Sequence, residues 1–105
     1  MTIPKAHAHQ AEFAGAVANV ERKLQSLVVH IRHSFGNDWT GEPAVFFRIL
    51  LTDAASERNQ LLKTTNLISD TIVQTVEPLE QWGVLPYFNF RSQAEQESLK
   101  EEAWK

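Results

Sequence analysis

The spacing of apolar residues changes repeatedly between a helical and a strand period along this chain. Residues 6–25 carry apolar side chains at every third or fourth position, which predicts an amphipathic helix. Residues 27–33, 44–51 and 87–91 are short runs in which apolar side chains recur at every second position, which predicts three strands. Residues 52–77 return to the helical period and predict a long helix.

Helix start and stop signals set the limits of the long helix. Thr52 or Asp53 is expected to cap its beginning, and Pro78 is expected to break it near its end. Because proline suits the first turn of a helix and glycine suits the position after its end, we expect a second short piece between Pro78 and Gly83.

The order of the predicted elements limits the fold class. Helix, strand, strand, broken helix and strand predict an α+β two-layer sandwich, in which helices cover one face of a three-stranded, mainly antiparallel sheet. The third strand should run parallel to the second and antiparallel to the first, and it can pair with either. The 105 residues form one domain, 1–105. Ser92 and Glu95 have the spacing of a capping box, which predicts a short terminal helix or a frayed tail over 92–105.

The strands place one arginine each on the side that faces away from the helices. In the first strand the alternation leaves Leu27, Val29 and Ile31 inward, with Val28 outward beside His30 and Arg32. The same rule applied to all three strands collects one predicted outer surface, which consists of His30, Arg32, Phe46, Arg48, Tyr87, Asn89 and Arg91.

Residues 34–43 are rich in turn formers and predict a loop longer than a usual hairpin turn. Loops of excess length are often functional, so this loop joins the outer surface as a candidate binding region. Trp39 lies in its middle, and we expect its side chain to fold back onto the domain.

Charge and composition exclude several classes of function. A net charge of -3 argues against a protein that grips long nucleic acid nonspecifically, since such binding needs many Lys and Arg side chains. The chain has no cysteine, which excludes disulfides and thiolate chemistry. No apolar run is long enough to span a membrane and residues 1–10 do not resemble a secretory signal, so we expect a cytoplasmic protein without a membrane partner.

An enzyme or metal site would have to use His30 or His33 with Asp38 and Glu42. The two histidines are three residues apart on a strand, so their side chains point to opposite faces and do not chelate together. The run Ser34-Phe35-Gly36 followed by a strand resembles the strand-turn-strand of nucleotidyltransferases. In those enzymes the strand carries two metal-binding carboxylates, and here it has none. We therefore predict no catalytic residue, no metal and no cofactor, and keep a small hydrolase or metal-binding protein as the second alternative.

The element order is similar to that of type II KH domains and their ribosome-binding relatives, and this resemblance implies RNA binding. KH domains grip the RNA backbone with a Gly-x-x-Gly loop between two helices. Here the corresponding break reads Val76-Glu77-Pro78-Leu79, which has no glycine pair, and two carboxylates, Glu77 and Glu80, lie nearby.

These observations favour a small non-enzymatic interaction protein, accessory or antitoxin-like, that binds a protein partner or itself. It uses the outer sheet face and the 34–43 loop, and an RNA-binding module of KH-like topology is the alternative. Leu67 is predicted on the polar side of its helix, and Trp104 lies in a tail with little else to bury it. These apolar side chains favour a homodimer, in which a second copy covers them. The predicted binding residues are Arg32, Arg48, Arg91, Tyr87, Phe46, His30 and Trp39.

Overall fold

A computed structural model describes residues 3–105, so the first two positions of the predicted 1–105 domain lie outside the described residues. The helices are α1 (Lys5–Ala8), α2 (Gln10–Lys23), α3 (Leu61–Val76), α4 (Pro78–Trp82) and α5 (Gln93–Leu99), and a terminal 3₁₀ turn covers Glu102–Trp104. The strands are β1 (Val28–Asn37), β2 (Pro43–Leu51) and β3 (Leu85–Ser92).

The three strands form one sheet in the order β1, β2, β3. Strands β1 and β2 are antiparallel, and β3 runs parallel to β2 on its other side. The third strand therefore pairs with the second, which resolves the choice that the sequence leaves open. This small mixed sheet with its helices confirms the predicted α+β class.

The hydrophobic core lies between the inner face of the sheet and helices α2 and α3. Phe13 of α2, Phe47 of β2 and Ile68 of α3 are completely buried in it. Because these positions recur with the period of their own element, each helix and strand directs one apolar stripe to the same layer. None of the described helices is long and apolar enough to cross a membrane.

The first strand contains a β-bulge that the alternation rule does not detect. Its register with β2 shifts between Val28 and His30. An extra residue in one strand reverses the facing of the residues before it. Val28 is therefore buried in the core and Val29 is exposed, so the predicted facing of these two valines is wrong, whereas that of His30 and Arg32 is right.

Both long helical segments differ from their predicted limits. The predicted helix over 6–25 is divided at His9, which separates α1 from α2. Helix α3 begins at Leu61, and Thr52 caps a preceding turn by accepting a hydrogen bond from the main-chain nitrogen of Ala55. Its C-terminal break agrees with the sequence, since α4 starts at Pro78.

Half of the predicted loop over 34–43 is strand. Strand β1 continues to Asn37, which pairs with Pro43 of β2. The loop between the two strands, which we call the hairpin loop, is therefore only residues 38–42. Extended pairing satisfies the main-chain groups that a longer loop would leave to water. The Trp39 side chain is 90% exposed, so the expectation that it folds back onto the domain is wrong.

Candidate functional site

The main part of the outer face of the sheet is a grid of nine side chains in three rows across the strands. Its members are His30, Arg32 and Ser34 of β1, Phe46, Arg48 and Leu50 of β2, and Tyr87, Asn89 and Arg91 of β3. The register places Arg32 opposite Arg48 and Leu50 opposite Arg91. The prediction that Arg32, Arg48 and Arg91 share one face is therefore confirmed.

Residues 101–105, which we call the terminal segment, lie against this face. The main-chain oxygen of Ala103 accepts a hydrogen bond from Nε of Arg48 at 2.6 Å, and that of Lys105 accepts one from Nε of Arg32 at 2.8 Å. Two arginines directly opposite each other on neighbouring strands repel. The oxygens of the terminal segment offset this repulsion because each of them takes one guanidinium group.

Trp104 is the anchor of the terminal segment. Its side chain is only 7% exposed, and the guanidinium carbon of Arg91 lies 4.5 Å from the centre of its ring, which is cation–π geometry. Arg91 also forms a salt bridge of 3.1 Å with Glu101 and donates a hydrogen bond to Gln96. One arginine therefore holds both Glu101 and Trp104 of the segment.

His30 completes this half of the face. Its Nε2 atom lies 2.6 Å from the main-chain oxygen of Trp104, and since a carbonyl oxygen only accepts, Nε2 carries the proton of this hydrogen bond. Leu50 points to the same face and is nevertheless buried. We name this covered half the arginine end, and it consists of His30, Arg32, Arg48, Leu50 and Arg91.

The other half of the face lies beside the hairpin loop and carries aromatic side chains. The rings of Phe46 and Tyr87 stack with their centres 5.5 Å apart. The Tyr87 hydroxyl donates a hydrogen bond of 2.7 Å to Asp38, which connects the face to the loop. We name Phe46, Tyr87 and the exposed Trp39 the aromatic end.

Asp38 organises the hairpin loop. One of its carboxylate oxygens accepts hydrogen bonds from the hydroxyl and main-chain nitrogen of Thr40 and from the main-chain nitrogen of Glu42. The Thr40 hydroxyl, then Tyr87, and then the main-chain donors hold the pKa of Asp38 down at about 2. The same bond to Asp38 raises the pKa of Tyr87. The loop therefore presents Trp39 from a fixed turn.

The residues of the enzyme alternative do not meet. His33 lies on the inner face, with its ring centre 5.0 Å from that of Phe13, whereas His30 lies on the outer face. Burial, and secondarily the charge of Arg48, lower the pKa of His33. Asp38 is bonded within its loop and to Tyr87. Within residues 3–105 there is no group of three His, Cys, Asp or Glu side chains that would hold a metal ion.

The helix break that corresponds to the KH loop is a tight turn with acidic side chains. Glu77 ends α3 with a left-handed φ of 51°, and Pro78 begins α4 directly after it. The main-chain nitrogen of Gln81 donates to the Glu77 carbonyl at 2.9 Å. This turn offers carboxylates where an RNA backbone would bring phosphates, so it provides no support for the RNA alternative.

Comparison with protein-family models, with curated proteins and with solved structures finds no match to this chain. The interpretation of the outer face therefore depends on its own geometry.

Of the seven predicted binding residues, the structure brings six together on or beside the sheet face, and Trp39 stands out from the adjoining loop. The sequence argument missed that the terminal segment covers the arginine end. His30, Arg32 and Arg48 bind main-chain oxygens of the segment, which every residue carries, so these contacts leave no pattern in the sequence. The one available signal is Trp104, a large aromatic residue in an otherwise polar tail.

Proposed function

We propose that this protein is a small non-enzymatic interaction protein, accessory or antitoxin-like, that binds a short segment of a protein partner or of itself. The binding surface is the outer sheet face together with the hairpin loop. The observation that carries this proposal is the docked terminal segment, in which Arg32, Arg48, Arg91 and His30 hold a peptide around one buried tryptophan.

The chemistry of the arginine end suits peptides. Arg32, Arg48 and His30 donate hydrogen bonds to main-chain oxygens, which any extended or turned peptide offers. Arg91 selects further, because it pairs with a carboxylate and stacks on an aromatic ring. Main-chain contacts supply part of the affinity of such a site, and its side-chain contacts supply the specificity.

Charge supports the same conclusion. The arginine end carries three guanidinium groups, whereas residues 101–105 carry two glutamates and one lysine, a net charge of -1. A positive surface and an acidic segment attract each other before contact, so association is fast and weakens with salt.

The proposal is tested with the whole chain carrying Trp104→Ala, which removes the anchor and frees the arginine end. A fluorescently labelled peptide with the sequence of residues 101–105 is titrated with this variant, and its anisotropy is measured. We expect saturable binding with a Kd of about 10 to 100 µM, which suits a short peptide with a single aromatic anchor.

Two matched controls locate the binding. The double variant Arg48→Ala/Trp104→Ala should bind the peptide about tenfold more weakly, because one charge-assisted hydrogen bond is lost. Leu79→Ala changes a comparably exposed leucine on α4 and leaves Trp104 in place, so it should bind no better than the unaltered protein. Absence of saturable binding to Trp104→Ala, or binding indifferent to Arg48→Ala, would contradict the proposal.

A further inference from the structure

We propose that two copies of this chain exchange their terminal segments, so that residues 101–105 of each copy dock on the arginine end of the other. This inference rests on the proposed function, because it takes the segment-binding face as given and names its occupant. The product is a homodimer whose interface repeats one peptide site twice.

The terminal segment joins the domain through one hinge residue. Lys100 follows α5 and has a left-handed φ of 53°, which is unfavourable for a residue with a side chain. Helix α5 itself buries none of its side chains. The docked conformation within one chain therefore depends on a strained hinge, and an extended hinge relieves that strain.

Exchange keeps the docking contacts of the segment. The docking hydrogen bonds and the cation–π contact each join the terminal segment to a residue of the outer face or to Gln96 of α5. The same pairs therefore form when the segment belongs to one copy and the face to the other. The turn within the segment is also kept, since Trp104 bonds to Glu101 inside it. Swapping an identical element is for this reason a low-cost route to a dimer.

A short hinge requires the two copies to touch, and the surface around the hinge suits such contact. One residue spans at most about 3.6 Å, so the two outer faces must lie close to each other. Leu99 beside the hinge is 56% exposed. Contact between two copies at the hinge would cover this apolar side chain, which adds to the contacts that exchange preserves.

Chemical cross-linking tests the exchange directly because the chain contains no cysteine. Ser34 and Ala103 are held by the same guanidinium group, that of Arg48. The double variant Ser34→Cys/Ala103→Cys is treated with a short bis-maleimide reagent and run on a denaturing gel. Exchange places the two cysteines of each linkable pair on different copies, so we expect covalent dimers.

Mixing supplies the second measurement. Equal amounts of the single variants Ser34→Cys and Ala103→Cys are combined and cross-linked. Half of the randomly paired dimers contain both variants, so up to about half of the chains should become covalent dimers. The control mixture pairs Ala103→Cys with Asn19→Cys, which lies on α2 across the sheet, and it should give no covalent dimer. The unaltered protein should have the mass of a dimer by light scattering.

The outcomes separate this inference from the proposed function. If the reagent cross-links the double variant only within single chains, so that it runs as a monomer on the denaturing gel, the exchange is overturned, because the segment then docks within its own chain. This holds whether or not light scattering gives the mass of a dimer. Peptide binding by Trp104→Ala would still support the proposed function in that case. Conversely, a Trp104→Ala protein that remains fully dimeric would also overturn the exchange.

Discussion

The two faces of the sheet are covered in different ways. The inner face is covered by α2 and α3, and Phe47 and Ile49 on it are completely buried among apolar side chains. The arginine end of the outer face is covered by five residues, of which only Trp104 is buried. Its other contacts are hydrogen bonds to main-chain oxygens and one salt bridge.

This difference determines whether the elements that cover a face can detach from it while the domain stays folded. Burial of a large apolar side chain stabilises by about 1.5 to 3 kcal/mol, and many such side chains meet on the inner face. A hydrogen bond contributes about 1 kcal/mol net, because water replaces the lost partner when the segment leaves. The inner face therefore separates only when the domain unfolds, whereas the terminal segment can detach locally.

Adjacent phenylalanines on β2 provide the sharpest test of this comparison. Phe47→Ala should lower the free energy of unfolding by about 3 to 5 kcal/mol, because it leaves a cavity in the closed core. Phe46→Ala removes a half-buried ring that stacks on Tyr87, and we expect a loss of about 1 kcal/mol. Urea denaturation followed by circular dichroism measures both. Equal losses would show that the two faces are covered alike.

A matched pair of tryptophans gives the next largest effect. Trp104→Ala should cost about 1 to 3 kcal/mol, less than a core tryptophan, because the loss cannot exceed the free energy with which the terminal segment docks. Trp39→Ala should change the free energy of unfolding by less than about 0.5 kcal/mol, since that ring is exposed. The same denaturation experiment compares them. A larger loss for Trp39→Ala would contradict the assignment of Trp104 as the anchor.

Much of the fold could be predicted because its signals are local. The change of apolar period marks the strands and α3, and Pro78 and Gly83 limit α4. The predicted capping box is also present. Ser92 Oγ accepts a hydrogen bond from the Glu95 main-chain nitrogen, and the Glu95 carboxylate accepts one from the Ser92 main-chain nitrogen. The facing of the three arginines also follows from alternation alone, because Arg32 lies beyond the bulge in β1 and the β2–β3 register that contains Arg48 and Arg91 has no shift.

The errors have a common physical cause in longer-range contacts. The bulge before His30 is specified by pairing with β2, which periodicity within β1 does not reveal. The extension of β1 to Asn37 likewise depends on its partner strand, although Ser34, Gly36 and Asn37 are typical turn formers. The docking of residues 101–105 uses three hydrogen bonds from the sheet face to main-chain oxygens, which leave no residue pattern, so Trp104 is its one signal in the sequence.

Arginine and lysine are expected to differ at two positions of the arginine end. Arg91→Lys should lower the free energy of unfolding by about 1 kcal/mol, since a single ammonium group replaces neither the fork to Gln96 and Glu101 nor the stacking on Trp104. Arg32→Lys should cost less than about 0.5 kcal/mol, because Arg32 makes one exposed hydrogen bond there. Denaturation curves recorded side by side measure the difference. A cost at Arg32 equal to that at Arg91 would remove the special role of Arg91.

The smallest expected effect concerns the loop beside the aromatic end. In Tyr87→Phe the pKa of Asp38 should rise from about 2, because one donor to its carboxylate is lost, but it should stay below 3.8 because Thr40 still donates. A carboxyl whose pKa is depressed by folding stabilises the folded state above its unfolded pKa and loses that contribution as the pH falls through the folded value. The stability that Asp38 contributes is therefore lost as the pH falls from 3.8 to about 2, and this pH range is narrower in Tyr87→Phe.

Nuclear magnetic resonance titration of the Asp38 carboxyl carbon measures this change, and Thr40→Val serves as the matched comparison. Its effect on the pKa should be larger than that of Tyr87→Phe, since the Thr40 hydroxyl is the stronger cause of the depression. Neither substitution touches the terminal segment, so peptide binding by the freed arginine end should not change. If Tyr87→Phe abolished that binding, the two ends of the outer face would act as one site, and the division between a covered and an open half would no longer hold.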